Sequence, residues 1–84
     1  MRPFTVVLLR PEYILDEPSE YGQDIYVASR IMADDEIRAV KAAQNEAYKA
    51  DKREGLQPRG RTDYALCVLF TGHHEPALFG WQAH

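Results

Sequence analysis

The 84 residues include a single cysteine, Cys67, which excludes an intrachain disulfide, and they contain no His-x-His or Cys-x-x-Cys pair of the kind that holds zinc. Cys67 sits inside an apolar run, so a buried small hydrophobe is expected there, not a reactive thiol. No apolar stretch approaches the roughly 20 residues that a bilayer span needs. Met1-Arg2-Pro3-Phe4 enters a strand-like segment without a signal peptide's cleavage pattern, so a cytoplasmic protein with no membrane partner is expected. Internal repeats and low-complexity tracts are missing as well. Gly55 to Gly60 lacks the Lys-Ser/Thr pair that follows a phosphate-binding loop, and Ser19, Ser29 and Thr62 lie near no motif that would activate a hydroxyl. These absences argue against an enzyme: no catalytic residue and no cofactor is expected. A chain of this length makes one domain, residues 1–84, and buries roughly 60 to 65% of its unfolded surface, which leaves little core to spare.

What is present is organised around Asp34 to Gly55, a helix with marked ends. Asp34 can act as N-cap, and Asp35 and Glu36 place negative charge where the helix dipole favours it. Lys52 and Arg53 suit the other end, Gly55 can adopt the left-handed conformation that ends a helix, and Pro58 prevents its resumption. At about 100° per residue, Ile37, Val40, Ala43, Ala47 and Ala50 share one side with Tyr48 at its margin, while Arg38, Lys41, Asn45, Lys49, Lys52 and Arg53 lie opposite. Small residues allow close approach, so a sheet is expected beneath the alanines.

Phe4 to Arg10 and Asp63 to Thr71 are apolar on both alternating sets and read as strands covered on both faces; Ile25 to Met32 alternates as a more peripheral strand should. Pro11 to Asp24 is too apolar for a solvated linker and reads as a flap folded onto the body, whereas Gly55 to Thr62 is turn-rich and reads as the most mobile segment. A short fourth strand is possible at Ala77 to Phe79. The fold class is therefore α+β: a three- or four-stranded, mainly antiparallel sheet of order 2-1-3 with one long helix on one face (ββαβ). One helix covers one face. The other face needs the flap (Tyr13, Ile14, Leu15, Tyr21), the tail (Leu78, Phe79, Trp81) or another chain, with a homodimer ahead of a heterologous partner.

The net charge of −3 hides an uneven distribution. Glu12 to Asp24 holds five acids and no base; Arg38 to Arg61 holds seven bases against three acids, a balance of +4. The acidic flap with its aromatics (Glu12, Tyr13, Asp16, Glu17, Glu20, Tyr21) and the tail residues Phe79 and Trp81 form a candidate protein-binding surface, since Tyr and Trp commonly anchor interfaces. The alternative site is phosphate-binding: Arg38, Lys41, Lys49, Lys52 and Arg53 on the helix, with Arg59 and Arg61 flanking Gly60 as a hook. His73, His74 and Glu75 are the one cluster that could ligate a metal, but adjacent strand residues face opposite ways, so hydrogen-bonded imidazoles in a turn are the expected reading.

Leu9-Arg10-Pro11-Glu12-Tyr13, Tyr21-Gly22-Gln23-Asp24-Ile25-Tyr26, the Ala/Gln-rich helix, Asp63-Tyr64 and Gly72-His73-His74 together resemble a group of short, mostly uncharacterised α+β proteins of bacteria, their phages and mobile elements. The resemblance implies an accessory role such as anti-CRISPR inhibition, in which a partner's surface is occluded. The first half is also similar to HicB-type antitoxins in its strand, loop, strand and amphipathic helix, without the further strand which that family places before its helix. The expected function is thus a non-enzymatic, homodimeric protein-binding module, an inhibitor of a host defence complex or nuclease. The alternative is a nucleic-acid-associated, antitoxin-like regulator using the basic helix, and a metal-dependent enzyme ranks behind both.

Overall fold

The computed structural model describes residues 1–14 and 25–73. Three strands, β1 (Arg2–Leu9), β2 (Ile25–Ala33) and β3 (Ala65–Thr71), form one sheet in the order β2-β1-β3, with both outer strands antiparallel to β1. The helix α1 (Glu36–Arg53) connects β2 to β3 and packs mainly on β2 and β1, which completes an α+β fold of ββαβ order. Single 3-10 turns occupy Glu12–Ile14 and Arg61–Asp63. The possible fourth strand at Ala77 to Phe79 lies outside the described residues, as do Leu15, Asp16, Glu17, Glu20, Tyr21, His74, Glu75, Leu78 and Trp81.

The centre of the sheet follows from the sequence of β1. Phe4, Val6 and Leu8 are fully buried towards the helix, in one cluster with Ala28, Ile31 and Ala33 of β2, Ala39, Ala43 and Ala47 of α1, Ile14 and Tyr64. Three alanines at i, i+4 spacing give the helix a flat stripe, so its axis settles close to the strands; a larger side chain at any of them would have to push the layers apart.

The helix differs from the sequence reading in two respects. Its N-cap is Asp35, whose carboxylate accepts from the Arg38 N–H at 2.8 Å, while Asp34 serves as an ion-pair partner of Arg38 at 3.1 Å. The buried stripe is Ala39, Ala43, Ala47 and Asp51; Val40 and Tyr48 are partly buried and Ile37 is 70% exposed. An i, i+4 row drifts around the helix, so it can take in Asp51 and leave Ile37 outside. The C-terminal signals hold: Gly55 has φ of 87°, its N–H donates to Lys52 O, and the Leu56 N–H donates to Asp51 O at 3.0 Å, closing a Schellman turn.

β2 departs from strict alternation. A bulge between Phe4 and Val6 shifts its register, so Ala28, Ile31 and Ala33 all turn inward while Met32 stays 47% exposed. A second irregularity, between Val7 and Leu8, disturbs the β1–β3 ladder opposite Cys67. β3 is correspondingly open: Cys67, expected to be buried, is exposed, as are Leu66 (49%) and Val68 (38%). On the face away from the helix, Thr5 and Val7 are buried at the central strand, and the surface opens at Val68, which pairs with Val7. Of the flap residues named as cover for that face, Ile14 instead joins the helix-side core. No helix among the described residues is long and apolar enough to cross a membrane.

Candidate functional site

A buried polar clasp holds the end of the domain where the chain leaves β1, enters β2, leaves α1 and enters β3. Asp51, fully buried, accepts from Arg10 Nε and Nη2, both at 3.2 Å, and from the Tyr64 hydroxyl at 2.6 Å. Arg10 Nη1 donates to the Ile25 carbonyl at 3.1 Å, and its guanidinium lies 5.5 Å from the centre of the Tyr26 ring. Gln44 reaches the Tyr64 carbonyl at 2.8 Å, and the Tyr26 hydroxyl donates to Glu46 at 2.9 Å. Both tyrosines hold their protons more tightly than free tyrosine: burial, reinforced by donation to a carboxylate, raises Tyr64 and pushes Tyr26 up to about 12.

The clasp fixes the segment that follows the helix. Pro58 is buried and Leu56 packs partly into the core, so Gly55 to Thr62 is anchored, where its composition suggested mobility. Tyr13 anchors it further, accepting from the Arg59 N–H at 2.8 Å and donating to Asp63, while the Arg59 guanidinium lies 4.2 Å from the Tyr13 ring centre. Burial and the bond to Asp63 raise the Tyr13 hydroxyl as well. Arg61 Nε donates to Asn45 at 2.6 Å and its guanidinium lies 4.5 Å from the Tyr48 ring centre, with Lys52 at 5.0 Å from the same ring. Each arginine of the hook is therefore held on a tyrosine. Tyr13, Ile14, Gly55, Leu56, Gln57 and Arg59 line a cleft of about 470 Å³ beside the hook.

The structure thus brings Lys52, Arg59 and Arg61 to one end of the exposed helix face, on which Lys41 and Lys49 also stand. Arg53 is exposed near the same end, and Arg38 is engaged by Asp34 and Asp35 at the other. Of the expected protein-binding residues, Glu12 is exposed and Tyr13, 38% exposed, is occupied by Arg59 and Asp63. Asp16, Glu17, Glu20, Tyr21, Phe79 and Trp81 lie outside the described residues. A ring nitrogen of His73 lies 3.1 Å from the carbonyl of Ile31 on β2. Among the described residues no group of three His, Cys, Asp or Glu side chains could hold a metal.

The residues that composition did not single out are Asp51, Tyr64 and Tyr48. A signal for Asp51 existed: it continues the Ala39, Ala43, Ala47 row at the same spacing, and a carboxylate on a buried stripe needs a cation and donors, which Arg10 at a strand end can supply. Nothing local marks Tyr64 as the third member. Comparison with family models, with curated proteins and with solved structures finds no match to this chain.

Proposed function

We propose that this chain works as a binding protein through protein contact, with β3 as its docking strand and a second copy as the occupant. The observation that carries this reading is the exposure of Ala65 to Val68, an uncharged apolar run on a strand that is outermost among the described residues. Outer strands of stable monomers are usually blunted by lysine or proline, and the run Ala65–Thr71 contains neither. Antiparallel pairing of Ala65 to Val68 with the same run of a second copy would be isologous and would set no like charges opposite one another, since the run has none. The resulting dimer would present the rest of its surface for occluding a partner, and the resemblance to phage-borne accessory proteins favours a host defence complex or nuclease as the target.

Molar mass in solution, measured by light scattering over a concentration series, tests the docking strand. Wild type is expected to be a dimer and Leu66→Lys a folded monomer with an unchanged far-ultraviolet spectrum. A strictly monomeric wild type, or a dimer that Leu66→Lys leaves intact, overturns the assignment. The target class is tested by affinity capture with purified defence nucleases, where no retention of any of them removes the inhibitor reading.

A further inference from the structure

The cationic surface of α1 and the loop after it carries a reading that stands apart from β3. Lys41, Lys49 and Lys52 are exposed along the helix, and Arg59 and Arg61 continue from its end. Among the described residues no carboxylate pairs with any of these five. Two of the three acids in this stretch are turned elsewhere: Asp51 into the clasp and Glu46 towards Tyr26 on β2. From Lys41 to Lys52 the helix advances about 16 Å, at about 1.5 Å per residue. This is a mainly cationic row, with Glu54 and Asp63 as the exposed acids beside it, and it is longer than one phosphate or carboxylate needs.

The two arginines are preorganised. Tyr13 holds Arg59 at 4.2 Å, and Tyr48 with Asn45 holds Arg61, whose Nε is spent on Asn45 so that its terminal nitrogens are the ones left to face a ligand. An arginine fixed against an aromatic ring presents its planar N–H fork with less entropy still to lose, which suits phosphate oxygens. The tyrosine rings, being occupied by cations, hold the arginines and leave little ring face for stacked bases. Apart from Ile37 at the far end, no large apolar side chain on α1 is exposed, so this surface lacks the apolar centre of a protein interface and has the polar, strongly positive character of a nucleic-acid one.

We infer that Lys41, Lys49, Lys52, Arg59 and Arg61 form a contact surface for the phosphate backbone of nucleic acid, independent of base sequence. Binding through five cations gives a log–log salt slope of about −3.5 on a single strand and about −4.5 on a duplex, so single-strand affinity falls about 100-fold between 50 and 200 mM salt.

The test is fluorescence anisotropy of the full chain with labelled single-stranded DNA, single-stranded RNA and duplex DNA of mixed sequence, in a salt series. Arg59→Gln/Arg61→Gln is expected to flatten the slope by about 1.4 on a single strand. Lys52→Gln, whose side chain has only its contact with the Tyr48 ring to lose, is expected to flatten it by about 0.7 and keeps the test sound should the double variant fold poorly. Arg2→Gln, on β1 beside Glu36, should leave the slope unchanged. No binding of any oligonucleotide at low salt overturns the inference, as does equal affinity for polyglutamate, which would mark the surface as one for acidic protein. A salt slope that the loop and helix variants do not alter would place any binding elsewhere. Because β3 takes no part, Leu66→Lys is expected to bind oligonucleotide with the same slope, and failure here leaves the docking-strand reading untouched.

Discussion

Replacing Asp51 with alanine removes the carboxylate on which four chain segments converge. The side chain is fully buried and accepts three hydrogen bonds, two from Arg10 and one from Tyr64. Breaking a buried ion pair by deleting one partner costs about 3 to 5 kcal/mol. Arg10 is 17% exposed and keeps its bond to the Ile25 carbonyl among other contacts, so the lower end, about 3 kcal/mol, applies to the loss of its carboxylate partner. The orphaned Tyr64 hydroxyl adds about 1 kcal/mol. A domain of this length has roughly 4 to 13 kcal/mol in total, so a loss of about 4 kcal/mol removes from about a third to all of it. Urea unfolding followed by circular dichroism measures the loss. Tyr64→Phe alone should cost about 1 kcal/mol and stay folded. In an Asp51→Asn background, which keeps the volume but not the charge, Tyr64→Phe should cost clearly less, because the hydroxyl has lost its ionised acceptor. A cost below about 1.5 kcal/mol for Asp51→Ala, or full additivity of Tyr64→Phe with Asp51→Asn, would refute the clasp as the element that holds this end together.

Alkaline pH should unfold the protein through the same region. Tyr26 is raised from 10.0 to about 12 and Tyr64 is raised further, so the folded state holds these protons more tightly than the unfolded chain does. The stability they contribute is complete below pH 10 and is lost as pH climbs through about 12; Tyr26→Phe should flatten part of that fall in a thermal melt series, and an unchanged profile would count against the assignment. Ala43→Leu, at a fully buried point of the helix stripe, should cost at least about 1 to 3 kcal/mol in urea unfolding, whereas Ala42→Leu on the exposed side should be neutral. Glu54 is the exposed acid between the helix lysines and the hook; Glu54→Gln should tighten oligonucleotide binding about twofold at low salt, with the gain vanishing at high salt, and weaker binding by this variant would contradict the phosphate surface.

The strand order was legible because a strand–helix–strand crossover leaves a gap which the first strand, apolar on both faces, fills; the same doubly apolar pattern in Asp63 to Thr71 misled, since β3 is outermost among the described strands and exposed from Ala65 to Val68. The C-terminal end of the helix was legible for a similar reason, since Gly55 permits the left-handed turn and Pro58 prevents resumption, whereas the N-cap fell one residue beyond Asp34. What failed to show were features that depend on register. The bulge between Phe4 and Val6 decides that Ile31 faces inward and Met32 outward, and nothing in Ile25 to Met32 reveals it. Cys67 looked buried because its neighbours are apolar, but β3 lies at the side of the sheet that the helix covers least. At the candidate site Arg59 and Arg61 were visible as bases flanking Gly60 in a turn-rich loop beside the basic end of the helix. Their tyrosine supports were not, because Tyr13 comes from a distant segment and Tyr48 stood only at the margin of an apolar face.

The charge of the outer surface and the clasp of the interior are connected. Arg38 to Arg61 carries seven bases and three acids, but a count along the chain understates the field outside. Asp51 is neutralised internally by Arg10, a base from outside that stretch, so it screens nothing at the surface. Glu46 faces β2 through Tyr26, and Glu54 is the one of the three acids without such a partner among the described residues. The same buried pair that joins β1 to the helix end therefore also removes a negative charge from beneath Lys52, Arg59 and Arg61. Had the clasp been built from apolar side chains of equal volume, the fold could be equally stable, since buried ion pairs add little net stability over well-packed hydrophobic replacements. The ionic version has a consequence that an apolar one lacks. It uses Arg10 and the Tyr64 hydroxyl to fix the direction in which the chain leaves α1, and hence the placement of Arg59 on Tyr13 and of Arg61 on Tyr48.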